Sequence, residues 1–271
     1  MSGAGGPAGE WPGRVAIVGA GAMGRALAAG LARGEPGLAE RLEIADAVPA
    51  AVEAAVAEVG GRPATLEQAA GADLVCVAVK PVDAEEAIGA IRAAMSPSGA
   101  LLSVIAGWDL DRLAAAAPGV PLVRTMPNLA VRHGAGIVAV AARGVEPARE
   151  ARLMALLRPL GAVVALPERL FPAATALAGS GPGLLALVAE GLEEGAVAAG
   201  LSRAQARELT AAALGGTAAL LADGTDPSLL RQRVSSPAGT TIAGLAVLER
   251  GAVRAHMADA VLEAARRASS L

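Results

Sequence analysis

Apolar positions along this chain follow two rhythms. From Arg14 to about Leu166, short apolar runs alternate with stretches in which apolar residues recur every three or four positions. That is the pattern of strands interleaved with amphipathic helices. The runs RVAIVG, LEIAD, DLVCVAVK, ALLSVIAG, PLVRTM, GIVAVAA and GAVVAL are the predicted strands, and 23–33, 49–59, 83–95, 110–116 and 147–157 the predicted helices. The alternation predicts an α/β domain with a doubly wound, mostly parallel sheet and helices on both faces. After Pro167 the strand signals stop and the rest reads as all-α. TLEQ at 65–68 and SRAQ at 202–205 are capping boxes, in which a hydroxyl and an amide satisfy free N–H groups of a first helical turn. The first predicts a short helix and the second a long one running through Leu221. Even the outward positions of the second half are often Ala or Leu, so its helices are expected to bury them against another subunit, giving a homo-oligomer, a dimer or a larger ring.

Length and composition sharpen this division. With 271 residues and 54% apolar content, two domains of ordinary size are expected, 14–166 and 167–271. Residues 1–13, MSGAGGPAGEWPG, are rich in Gly and Pro and are expected to form a disordered leader. A net charge of -3 with scattered arginines offers no basic field for nucleic acid. Cys76 is the single cysteine, and with only His133 and His256 beside it no metal-ligand set is expected; a reducing cytoplasm fits. Both histidines read as surface or packing residues. The longest uncharged stretch, 172–189, is interrupted by GSGPG, and the N-terminus lacks the regions of a signal peptide, so a soluble protein without membrane association is expected. In GSGPG, Ser180 reads as a helix cap.

Candidate chemistry begins at VAIVGAGAMGRALAAG. Gly19, Gly21 and Gly24 have the spacing in which the first glycine permits a tight turn, the second admits a pyrophosphate and the third lets helix and strand lie close. Ala22 and Met23 open the following helix, whose free N–H groups favour phosphate. This predicts a bound dinucleotide. Asp46 ends the next strand at the interval expected of a ribose ligand, and DAVPAA has no arginine to accept a 2'-phosphate, which leans the choice toward NADH. A plain cap on the following helix is the alternative role for Asp46. Val79, Lys80 and Pro81 close a buried strand, where ligands meet an open parallel sheet; Lys80 is the one lysine of the chain. RTMPN closes another strand and sets Asn128 where its amide would meet nicotinamide or substrate. Cys76 reads as core.

The second half contains one polar interruption, RVSSPAGTTIAG at 233–244. One reading is a helix cap, with Ser235 or Ser236 as N-cap and Pro237 as first helical residue.

Taken together, VGAGAMG, AVKP, RTMPN, GSGP and VSSPAGTT resemble, in order and spacing, the pyrroline-5-carboxylate reductases, from Arg14 onward. The resemblance implies a Rossmann domain, a helical dimerisation domain, and reduction of the C=N bond of 1-pyrroline-5-carboxylate to L-proline by NADPH or NADH. It also implies that Ser236 and the backbone of Gly239 and Thr240 hold the substrate carboxylate while the Thr241 hydroxyl lies near the ring nitrogen, so the loop reads as an anion cradle. The chain departs from the pattern at Leu129 and Ala130, where Thr and Pro are usual, at Ala238, which replaces a glycine, and in having no tyrosine after GSGP. Two other readings remain open: a 3-hydroxy-acid dehydrogenase, which would require a lysine in the helical half that this chain lacks, and a regulator that binds dinucleotide without chemistry.

Overall fold

The computed structural model describes residues 11–270. In chain order the first elements are β1 (Val15–Val18), α1 (Ala22–Gly34), β2 (Leu42–Ala45), α2 (Pro49–Val59), β3 (Arg62–Pro63), α3 (Leu66–Ala70), β4 (Leu74–Val77), α4 (Ala84–Ala94), β5 (Ala100–Ser103) and α5 (Leu110–Ala116). There follow β6 (Leu122–Pro127), β7 (Gly136–Arg143), α6 (Pro147–Leu157) and β8 (Gly161–Ala165). The strands form one sheet in the order β3-β2-β1-β4-β5-β6-β7-β8. All pairs are parallel except β6 with β7. The order reverses between β1 and β4, the switch point at which open parallel sheets receive ligands.

Every predicted strand and helix of the first half forms within a few residues of its expected bounds. The addition is β3, whose two residues pair with Glu43 and Ile44 at the sheet edge, too short to leave an apolar pattern. In β1, Val15 and Ile17 enter one core layer with Leu27, Leu31 and Leu153, from α1 and α6. Ala16 and Val18 enter the other with Ile88, Ile91 and Leu113, from α4 and α5. Burial on both faces explains why these strands read as continuous apolar runs. The Thr65–Gln68 capping box forms as expected: the Gln68 N–H donates to Thr65 Oγ1 (3.2 Å) and the Thr65 N–H to Gln68 Oε1 (2.8 Å).

Among the described residues of this unit one charged group is buried. Glu43, 2% exposed, accepts two hydrogen bonds from Arg14 Nη2, at 2.9 and 2.8 Å, and also pairs with Arg62. Burial pushes its pKa up, but the hydrogen bonds and charges of Arg14 and Arg62 outweigh that and hold it below the usual carboxylate value. Cys76 is core, its thiol pushed up to about 12 by burial.

The leader expected over 1–13 lies outside the described residues for 1–10. Its last three residues are held in place, contrary to that expectation. Arg41 donates to the carbonyls of Pro12 (2.6 Å) and Gly13 (3.1 Å), Arg152 donates to that of Trp11 (3.2 Å), and Trp11 packs on the core. An indole offers enough apolar surface to fasten a segment that its Gly and Pro neighbours would leave loose.

The helical half consists of α7 (Phe171–Ala178), α8 (Gly181–Ala198), α9 (Arg203–Ala222), α10 (Pro227–Arg233), α11 (Thr240–Arg250) and α12 (Val253–Ala268). The element type changes after β8, near the expected boundary at Pro167, whereas the packing changes later. The chain divides into two compact units between Gly179 and Ser180, with the chain from Arg267 rejoining the first unit. The delay reflects α7, whose fully buried Phe171 packs with Leu122, Ala139 and Ala141 of the sheet. The Ser202–Gln205 box opens α9, with the Gln205 N–H donating to Ser202 Oγ (3.3 Å). By length and composition Glu168–Ala198 would cross a membrane, but GSGPG divides it into α7 and α8. Ser180 stands at the N-cap of α8 without a side-chain hydrogen bond, so the break comes from the chain's turn rather than from a capping hydroxyl.

The second unit has almost no interior. Helices α8, α10, α11 and α12 contain no buried residue, and α9 buries only Ala206 and Thr210. Leu185, Leu187, Val247 and Leu262 are each more than half exposed.

Candidate active site

The C-terminal ends of β1, β2, β4, β5 and β6 share one edge of the sheet, and the sequence-predicted cofactor residues follow four of them. Gly19 has φ +104, and a Cβ there would come within 2.6 Å of the Ala78 carbonyl, so the turn after β1 admits glycine alone. A Cβ on Gly24 would run into the Gly19 carbonyl oxygen. A Cβ on Gly21 would meet nothing within 4 Å, which leaves room at that point for a ligand. Gly21 is the N-cap of α1, with no side-chain cap and no acidic residue in the first turn. The N–H groups of Ala22, Met23 and Gly24 therefore reach the loop as free donors at the positive end of the helix. The residues fit a dinucleotide pyrophosphate.

Asp46 lies at the end of β2, but it does not cap α2, whose N-cap is Val48 without a side-chain hydrogen bond. Its Oδ2 accepts from the Ala20 N–H (2.7 Å) and its Oδ1 from the Val48 N–H (2.8 Å). Asp46 is therefore not the N-cap itself: one oxygen is turned to the glycine loop and the other to the N–H of Val48, the N-cap of α2.

Beyond β4, Val79 is half-buried, and Lys80 and Pro81 are exposed at the start of a short 3-10 turn. Among the described residues Lys80 has no ion-pair partner. Asn128, after β6, is 6% exposed, and its Oδ1 accepts from the N–H groups of Ala130 (3.2 Å) and Ile137 (3.3 Å). Its carbonyl thus shapes the turn from β6 into the reversed strand β7, a role that residue type alone did not reveal. The next residue, Leu129, is 62% exposed. Residues 104–107, read from the sequence as the end of the strand ALLSVIAG, instead follow β5, and the strand order sets them between the Val79 and Asn128 segments. The signal was the glycine closing SVIAG: Gly107 adopts φ +75.

In the second unit the hydroxyl-rich loop joins α10 to α11. Ser235 Oγ donates to the Arg231 carbonyl (2.7 Å) and closes α10. The Gly239 N–H donates to the Ser236 carbonyl (3.0 Å), closing a turn with Pro237 second and Ala238 third at φ +58. This is the pattern of a type II turn, which favours glycine at its third position. The reading with Pro237 as first helical residue fails, because α11 begins at Thr240 with Gly239 as an N-cap lacking a side-chain bond. Gly239 is also corrected: its N–H is taken by the turn, so the donors left free are those of Thr240, Thr241 and Ile242. A Cβ on Gly239 would collide with Ser236 Oγ, which lies over the start of the helix. Among the described residues the hydroxyls of Ser236, Thr240 and Thr241 have no partner. The loop therefore gathers Ser236, Gly239, Thr240 and Thr241 around unpaired donors.

Among the described residues no group of three or more His, Cys, Asp or Glu side chains could hold a metal ion. His133 and His256 are both exposed.

Comparison with known proteins agrees with this geometry. Residues 168–271 match the family model described as pyrroline-5-carboxylate reductase dimerisation, and residues 14–107 match that of the F420-dependent NADP oxidoreductases. The pyrroline-5-carboxylate reductase of Thermus thermophilus is 38% identical over 95% of this chain and 98% of its own length. That of Mycobacterium tuberculosis is 35% identical over 94% and 95%. Among solved structures, the Coxiella burnetii pyrroline-5-carboxylate reductase superposes with a TM-score of 0.88 at 25% identity, covering 96% of this chain and 98% of that one. The Streptococcus pyogenes enzyme does so with 0.80 at 28%, over 95% and 98%. The dimerisation match explains the uncovered apolar helices of the second unit, which belong to a homo-oligomer. With a glycine loop on its sheet, an unpaired hydroxyl loop on its helices and this identity along almost its whole length, the chain belongs to the pyrroline-5-carboxylate reductase family.

Proposed function

We propose that this chain reduces 1-pyrroline-5-carboxylate to L-proline with NADPH or NADH, the last step of proline synthesis, as a cytoplasmic homo-oligomer that engages neither nucleic acid nor membrane. The observation that carries the reading is the start of α11, where a glycine N-cap leaves the N–H groups of Thr240, Thr241 and Ile242 unpaired beside the free hydroxyls of Ser236, Thr240 and Thr241. An anionic carboxylate suits such a cluster of donors at a helix N-terminus. The Ser236 hydroxyl and the Thr240 N–H hold that carboxylate, and the Thr241 hydroxyl hydrogen-bonds at the ring nitrogen.

The bound nicotinamide supplies a hydride to the imine carbon. Since a protonated imine that accepts hydride becomes an amine directly, this chain needs no acid-base pair for that step. Its task is alignment, which contributes on the order of 7 to 11 kcal/mol in well-oriented reactions. Gly19, Gly21 and Gly24 with the α1 N–H groups seat the pyrophosphate, and Val79, Lys80, Pro81 and Asn128 border the cofactor along the sheet edge.

The test follows oxidation of NADH and NADPH on addition of pyrroline-5-carboxylate, with proline identified as product. Turnover with either nucleotide supports the reading. Tight nucleotide binding without oxidation overturns it in favour of a non-catalytic dinucleotide-binding protein.

A further inference from the structure

We infer that Asp46 is a positioning residue for the phosphate-binding loop, on which the seating of NADH and NADPH alike depends. The inference deepens the proposed seating of the cofactor on Gly19, Gly21 and Gly24 and rests on it. Both oxygens of Asp46 accept backbone N–H groups, from Ala20 at 2.7 Å and Val48 at 2.8 Å, so the protein itself holds the side chain in place beside the loop. The second bond fixes the side chain against its own turn. The first reaches back 26 residues to the loop itself.

That loop bond matters because Ala20 is only 3% exposed. Without Asp46 its N–H would be a buried donor with no protein partner, a state that folded chains avoid. Beside it the Gly19 N–H donates to the Ala45 carbonyl (2.8 Å), so two adjacent N–H groups tie the loop to the end of β2. The next residue is Gly21, the N-cap of α1. The carboxylate therefore decides where the free N–H groups of Ala22, Met23 and Gly24 point, and so how well any dinucleotide is held, whatever stands on its ribose.

Titration of NADH and of NADPH fluorescence with wild-type protein, Asp46→Ala, Asp46→Asn and Gly21→Val tests this, with KM and kcat measured for both nucleotides. Asp46→Ala is expected to weaken both by a common factor of about tenfold, the size of one lost hydrogen bond to a buried group. KM should rise for both while kcat falls by less than about twofold, since the donors remain and only their placement loosens. Asp46→Asn keeps one accepting oxygen and should lie between, and if Asp46→Ala does not fold, the same comparison on Asp46→Asn decides. Weaker NADH with unchanged or tighter NADPH would make Asp46 a ribose reader and overturn the inference. Unchanged affinity for both would overturn it as well. Gly21→Val separates the two readings: if it binds both nucleotides as the wild type does, the cofactor is not seated on this loop and the underlying proposal is what fails.

Discussion

At the scale of single residues, the clearest departure from the family pattern coincides with backbone strain. Ala238 replaces a glycine and adopts φ +58, a region where a Cβ crowds the neighbouring carbonyl. Ala238→Gly is expected to stabilise the protein by about 1 kcal/mol, somewhat less than the full left-handed penalty because glycine also gains freedom when unfolded. Urea midpoints at fixed protein concentration measure this, and a lower midpoint would mean that the turn holds Ala238 without strain. Thr241→Ala removes one hydroxyl worth about 0.5 to 1.5 kcal/mol, so turnover should fall by roughly tenfold without vanishing. An unchanged kcat would remove Thr241 from the chemistry. Cys76, with its thiol pushed up to about 12 in a dry core, should resist thiol reagents at pH 8 in the native state and react once denatured. The substitution at 238 was legible in the chain, but whether it needed a positive φ was not, because that depends on where α11 starts.

At the scale of elements, the edge of the sheet is fastened by Glu43 between Arg14 and Arg62, which joins β2 to β3 and to the residue before β1. Its folded pKa lies below the ordinary 4.5, so the unfolded chain binds more protons in that window. The contribution is therefore present in full above about pH 4.5 and is lost as pH falls through the folded value. Glu43→Gln should cost about 2 kcal/mol at pH 7, a charge-assisted hydrogen bond being worth about 1.5 to 3, and progressively less toward pH 3. Denaturant titrations at several pH values check this; a cost independent of pH would assign the loss to packing. The sequence could announce β2, with its apolar alternation around Glu43, but not β3, whose strand character comes from pairing alone. The capping boxes at Thr65 and Ser202 were readable because both partners lie within four residues.

At the scale of the whole molecule, the first unit has two apolar layers around a sheet, while the second, which matches a dimerisation family, exposes leucines along its helices. Burying such side chains is worth roughly 1.5 to 3 kcal/mol each, so helices this bare depend on association for their stability. Replacing Leu187 and Leu262 together by Asp is expected to yield a species of monomer mass in light scattering, with activity lost and an unfolding midpoint no longer dependent on concentration. An oligomer of unaltered mass would place both residues outside the interface. What the sequence determined by itself was the order of strands and helices apart from β3, the glycine loop after β1, the two capping boxes and the apolar excess of the second half, since each depends on periodicity or on partners a few positions apart. Tertiary structure alone decided that Asp46 turns to Ala20, that Asn128 shapes the reversal into β7, that α7 packs with the sheet, and that the free donors of the hydroxyl loop begin at Thr240. Those outcomes depend on which backbone groups remain unpaired after folding, and residues brought together from distant positions leave no periodic trace in the chain.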